Sequence, residues 1–100
     1  MADPTVRIEG RLICRDRAQA DRIAEFLVEH VRLTRAEPAC LSFEVTRDPA
    51  DALVFVVSET FVDAAGFAAH KARMVGTVWA EISEGATRDY VVTGLALAEG

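Results

Sequence analysis

Residues Asp48 to His70 read "DPADALVFVVSETFVDAAGFAAH". The "DPAD" opening is a turn, since Pro49 presets φ and the flanking Asp side chains bond their own backbone. Leu53 to Phe61 then reads as a strand whose first five residues, "LVFVV", are apolar on both faces. Such a strand calls for cover on both sides. Asp63 is placed as a helix N-cap, with Val62 before it and Phe67 after it set as a hydrophobic staple. From there Ala64, Phe67, His70, Lys71 and Met74 return to one side at helical spacing. A histidine thus sits on a face of small and apolar residues.

The segments on either side complete the pattern. "CLSFEVTR", Cys40 to Arg47, alternates Leu41, Phe43 and Val45 with Ser42, Glu44 and Thr46, so it pairs across the turn as a hairpin. Upstream, Asp16 caps a helix of about five turns whose stripe is Ala20, Ile23, Ala24, Leu27 and Val31. Phe26, His30 and Leu33 form a shoulder beside the stripe, where His30 reads as structural, and Pro38 ends the helix. "VRIEGRLIC", Val6 to Cys14, puts Val6, Ile8, Leu12 and Cys14 on one face of a first strand. Downstream, Gly76 loosens the chain, and "TVWAEIS" reads as a short helical piece or a lid. "RDYVVTGLALA", Arg88 to Ala98, is the last strand, with Tyr90 and Val92 facing opposite to Val91, Leu95 and Leu97.

The order β-α-β-β-α-β, with right-handed crossovers, predicts an α+β fold with a four-stranded antiparallel sheet and two helices on one face. The sheet's other face needs cover, and the same face of a second chain supplies it most simply. A homodimer through the sheet faces is therefore expected.

One hundred residues predict a single domain spanning 1–100. With 51% hydrophobic and 27% charged residues, the chain is globular. The net charge of −5, with eleven basic residues scattered from Arg7 to Arg88, argues against a nucleic-acid surface or an anionic membrane. No apolar run approaches the roughly 20 residues of a membrane span. "MADPTVRIEG" lacks the features of a signal peptide, so a cytoplasmic location is the expectation. Cys14 and Cys40 match no metal or redox spacing and are read as buried free thiols within strand-like runs. The sequence has no Asn and is heavy in Ala, Val and Arg, as a GC-rich bacterial genome would produce.

Thr34 to His70, "TRAEPACLSFEVTRDPADALVFVVSETFVDAAGFAAH", resembles the antibiotic biosynthesis monooxygenase family of small dimeric α+β proteins. The resemblance rests on "EP-x-C-L-S-F-E-V", the "RDP" turn, "V-x-E-x-F" and "F-x-x-H", and extends to the closing "R-D-Y-x-V-x-G-L". It implies a ferredoxin-like fold, pairing into a dimeric α/β barrel, and a pocket between helices and sheet in each subunit. It also implies oxidation of hydroquinones or aromatic phenols by O₂ with no metal, flavin or other cofactor. Haem-degrading members use an Asn, a Trp and a His, and this chain has no Asn. Family members often carry Gly where Ala39 stands, so that turn is expected to differ here.

Cofactor-free oxygenation needs a substrate anion able to give an electron to triplet O₂. The protein must supply a base tuned near neutrality, donors for the anion and a water-excluding cavity. His70 is the candidate base. Glu59 shares a strand face with Phe55 and Val57, and is the candidate to orient His70 and stabilise its protonated form. Trp79 is a candidate aromatic wall, Phe67 and Met74 beside His70 are candidate substrate contacts, and Arg88 and Tyr90 are candidate donors to an oxyanion. The expected partners are a small aromatic substrate, O₂ and a second copy of the chain. The alternative is a non-catalytic dimeric module of the same fold that binds a small apolar metabolite or stabilises a pathway complex.

Overall fold

Seven elements follow one another in the computed structural model, which describes residues 3–94. They are β1 (Val6–Ile13), α1 (Arg17–Arg35), β2 (Cys40–Arg47), β3 (Val54–Phe61), α2 (Ala64–Met74), α3 (Val78–Ile82) and β4 (Thr87–Thr93). The strands form one antiparallel sheet in the order β2-β3-β1-β4. This is the α+β ferredoxin-like arrangement the sequence predicts, with α3 as the short helical piece after Gly76. Leu95 and Leu97 of the expected last strand lie outside the described residues.

Alternation decides which sheet face meets the helices. Val6, Ile8 and Leu12 of β1 pair with Phe61, Glu59 and Phe55 of β3, and all six are buried. Phe55 and Phe61 are wholly inaccessible, and each contributes about 1.5–3 kcal/mol through burial. The intervening residues face the other way, and there Val56 is 48% exposed and Val91 68%. Leu41 was expected beside Phe43 and Val45. The pairing register shifts between Cys40 and Ser42, and Leu41 is exposed.

The helices begin where their caps place them. Asp16 accepts from the Gln19 N–H at 2.8 Å, and Asp63 from the Gly66 N–H at 2.7 Å. A Cβ on Gly66 would stand only 2.4 Å from the Ala39 Cβ, so its absence lets α2 close onto the turn before β2. Ala39 itself is not left-handed, because no described non-glycine residue has positive φ. Along α1 the buried positions are Gln19, Ala20, Ile23, His30 and Thr34, while Leu33 is exposed. The stripe thus runs onto polar residues in its last turns.

Buried Gln19 fastens α3. Its amide nitrogen donates to the Ile82 and Glu84 carbonyls at 3.0 and 2.8 Å, and its oxygen accepts from Arg15 N at 2.8 Å. Thr77 caps α3 by accepting from Ala80 N at 3.2 Å. Two apolar clusters result. One joins Leu12, Ile23, Phe55, Val57 and Ile82, and the other joins Val6, Ile8, Phe61 and Phe67. Cys14 is buried, Cys40 partly so, and both are free thiols. No helix among the described residues is long and apolar enough to cross a membrane.

Candidate functional site

A cavity of about 270 Å³ opens between the two clusters. Ile8, Leu12, Val45 and Val57 line it from the sheet, and Phe67, His70 and Met74 from α2. Trp79 of α3 and Tyr90 of β4 complete much of the wall, with Arg88 and Lys71 also contributing. All seven side chains singled out in the sequence therefore border one space. The predicted face of β3 places Glu59 there, and the helical spacing of α2 places Phe67, His70 and Met74 there.

His70 is buried, with its ring 5.0 Å from that of Phe61 and 5.9 Å from that of Phe43. Its Nδ1 lies 3.0 Å from Glu37 Oε2. Arg73, one turn further along α2, donates through Nε to the same oxygen at 2.8 Å and through Nη2 to Thr34 Oγ1 at 3.2 Å. With Arg73 donating to it, Glu37 is an acceptor, so Nδ1 is the donor in this contact and the lone pair of the neutral ring falls on Nε2. Glu37 does not border the cavity, whereas Glu59 does, and Glu59 Oε1 stands 3.8 Å from Nε2. The free nitrogen therefore faces the hollow.

This corrects one expectation. The bond that orients His70 is made by Glu37 and not by Glu59, whose 3.8 Å separation exceeds hydrogen-bond length. Burial, and then the neighbouring Glu37, push the Glu59 carboxyl up to about 7, so it holds a proton through much of the acidic range. A carboxyl that retains its proton beside an imidazole lone pair forms an acid–base pair at the cavity wall.

The aromatic part of the wall differs from expectation as well. Trp79 stacks on His30, with ring centres 3.8 Å apart and planes 4° from parallel. Phe43 meets the His30 ring edge-on at 5.4 Å. His30 is only 4% exposed and borders the cavity, yet its ring nitrogens bond no described residue. Burial, and then the neighbouring His70 and Arg73 side chains, drive its pKa down to about 3, so the ring is neutral. The Tyr90 hydroxyl also bonds no described residue, and burial pushes it up to about 12, which keeps it a donor. Arg88 donates to Ser83 Oγ at 2.9 Å. Among the described residues, no group of three or more His, Cys, Asp or Glu side chains is placed to hold a metal ion.

Sequence reasoning missed Glu37, Arg73 and Phe43 and gave His30 a structural place only. Glu37 carried a signal, as the first residue of the "EP-x-C" motif. His30 carried another, since it falls three residues after Leu27 on the line of the buried stripe.

Fold and site together define a small α+β domain with a mostly apolar, titratable cavity between helices and sheet. The profile of the antibiotic biosynthesis monooxygenase family matches residues 15–75, and the chain belongs to that family. Among solved structures, SnoaB from Streptomyces nogalater, a cofactor-independent oxygenase, superposes with a TM-score of 0.69 at 14% identity, covering 91% of each chain. PA3566 from Pseudomonas aeruginosa gives 0.64 at 23% identity, covering 92% of this chain and 91% of that one. A crystal structure of an antibiotic biosynthesis monooxygenase gives 0.70 at 25% identity, over 87% and 92%. No curated protein matches the chain significantly. The fold is thus that of the antibiotic biosynthesis monooxygenase family.

Proposed function

We propose that the protein is a cofactor-independent monooxygenase that oxidises a small aromatic phenol or hydroquinone with O₂. The observation that carries this reading is His70. Its Nδ1 is tied to Glu37 and its Nε2 faces a mostly apolar cavity. A volume of about 270 Å³ lies just under the range of roughly 300–1,000 Å³ for drug-sized ligands, which suits one or two fused rings.

In this mechanism His70 Nε2 takes the phenolic proton, and the resulting anion passes one electron to O₂. The radical pair combines into a carbon-bound peroxide. Loss of a proton from that carbon, with cleavage of the O–O bond, turns the ring C–H into C=O and releases water. One oxygen atom of O₂ stays in the product, the other leaves as water, and all electrons come from the substrate. Glu37 holds the imidazole and stabilises the imidazolium, while neutral Glu59 is the proton donor to the departing oxygen. Tyr90 and Arg88 stand as donors to the substrate oxyanion, and Trp79, Phe67 and Met74 form the walls that keep water out.

The working unit in this reading is a homodimer through the sheet faces. Exposed Val56 and Val91, on the side away from the helices, support it. The test of the activity is oxygen uptake with a panel of hydroquinones and naphthalenediols, comparing the intact protein with His70→Ala. Uptake by the first and loss in the second is the expected result. No uptake by either would leave a binding module of the same fold, and equal uptake by both would remove His70 as the base.

A further inference from the structure

We infer that His30 is a second recognition point in the cavity, which bonds a neutral oxygen on the substrate's ring system distinct from the oxygen deprotonated at His70. The preferred ligand is then a doubly oxygenated arene, a diol or hydroxyketone, over a simple phenol. The placement of the reacting oxygen at His70 rests on the oxygenase reading, but the binding preference does not.

Four observations carry the inference. His30 is 4% exposed, and no enclosed side-chain nitrogen or oxygen among the described residues lacks a partner, so the small accessible part of its ring includes the nitrogens. Those nitrogens bond no described residue, so a partner for them has to come from what enters the cavity the ring lines. One face of the ring is covered by Trp79 at 3.8 Å and Phe43 meets it edge-on, which leaves hydrogen bonding in the ring plane. Finally, the ring borders the same cavity as His70 and Glu59, and Phe43 contacts both imidazoles.

The chemistry of the occupant follows. A neutral imidazole offers one N–H donor and one acceptor nitrogen, which matches a hydroxyl or a ring carbonyl. The same neutrality disfavours a carboxylate or phosphate at this point, because the ring brings no positive charge to a desolvated anion. A ligand without the second oxygen would leave the imidazole edge unpaired on binding.

Trp79 is the chain's single tryptophan and is stacked on His30, so its fluorescence reports ligand arrival there. The experiment is an anaerobic titration with 1-naphthol and with the 1,4-, 1,5- and 2,6-dihydroxynaphthalenes, on wild type, His30→Phe and His30→Gln. Wild type should bind the best diol about tenfold more tightly than 1-naphthol, the worth of one well-placed hydrogen bond. His30→Phe should bring that ratio to within about twofold while holding 1-naphthol, and His30→Gln should restore most of it. His30→Leu replaces the Phe variant should the latter not fold. A wild-type ratio near one, or a ratio that survives in His30→Phe, overturns the inference. Because no turnover is measured, a chain without oxygenase activity still gives the answer, and a failed ratio leaves the oxygenase reading standing.

Discussion

Glu37 Oε2 lies 3.0 Å from His70 Nδ1, across a gap of 33 positions in the sequence. That bond sets the tautomer and turns the opposite nitrogen into the hollow. Arg73 anchors the same carboxylate, so the turn after α1 and the last turns of α2 are joined through one side chain.

Replacing Glu37 with Gln should therefore cost activity more than binding. The amide can offer its N–H₂ to the ring and favour the wrong tautomer, and it no longer stabilises the imidazolium. A fall in kcat of about 100-fold or more with KM within a fewfold is expected in steady-state oxygen uptake. Glu37→Ala should also lower stability by about 1–3 kcal/mol in urea unfolding, since His70 and Arg73 lose their shared acceptor.

Glu59 gives a pH signature of definite sign. Its folded pKa, raised by burial and by Glu37 to about 7, exceeds the ordinary value of 4.5. Below about pH 4.5 both states hold the proton. Between there and about pH 7 the unfolded chain releases it first, so the folded state binds more protons and stability falls as pH rises. Glu59→Gln removes this loss. Relative to wild type it should gain on the order of 1–3 kcal/mol between pH 4.5 and pH 8, read from urea midpoints across that range.

His30 has the opposite sign. Its folded pKa is lowered by burial from 6.5 to about 3, so the unfolded chain takes up a proton first as pH falls. The stabilisation is present above about pH 6.5 and is lost progressively toward pH 3. His30→Phe, which keeps a ring against Trp79, should be less sensitive to acid than wild type over that window in thermal unfolding.

The dimer is tested by light scattering. A twofold particle at micromolar concentration is expected, and Val56→Lys, on the exposed sheet face, should yield monomers while leaving the helix-side core intact. A wild-type monomer would contradict the sheet-to-sheet pairing.

Most of the scaffold was legible because alternation along a strand has only one solution once a face is buried. Val6, Ile8 and Leu12, like Phe55, Val57 and Phe61, fall where period two places them. The caps at Asp16 and Asp63 were legible for a local reason, since each depends on only three following residues. The cavity-facing end of α1 was not, because burial there selects His30 and Thr34, which hydropathy assigns to the surface. Glu37 was obscured in another way. Its role depends on where α2 crosses the turn, a tertiary relation that no local period encodes. Leu41 was misplaced by a single register shift, which reverses the expected side of an otherwise regular strand.

The most direct measurement is oxidation under ¹⁸O₂, with the product and solvent analysed by mass spectrometry for wild type and His70→Ala. A quinone product carrying one labelled oxygen from the wild type, its counterpart in water, and loss of that product in the variant are the predicted results. An unlabelled product accompanied by hydrogen peroxide, or equal labelling in both proteins, would contradict base-initiated monooxygenation at His70.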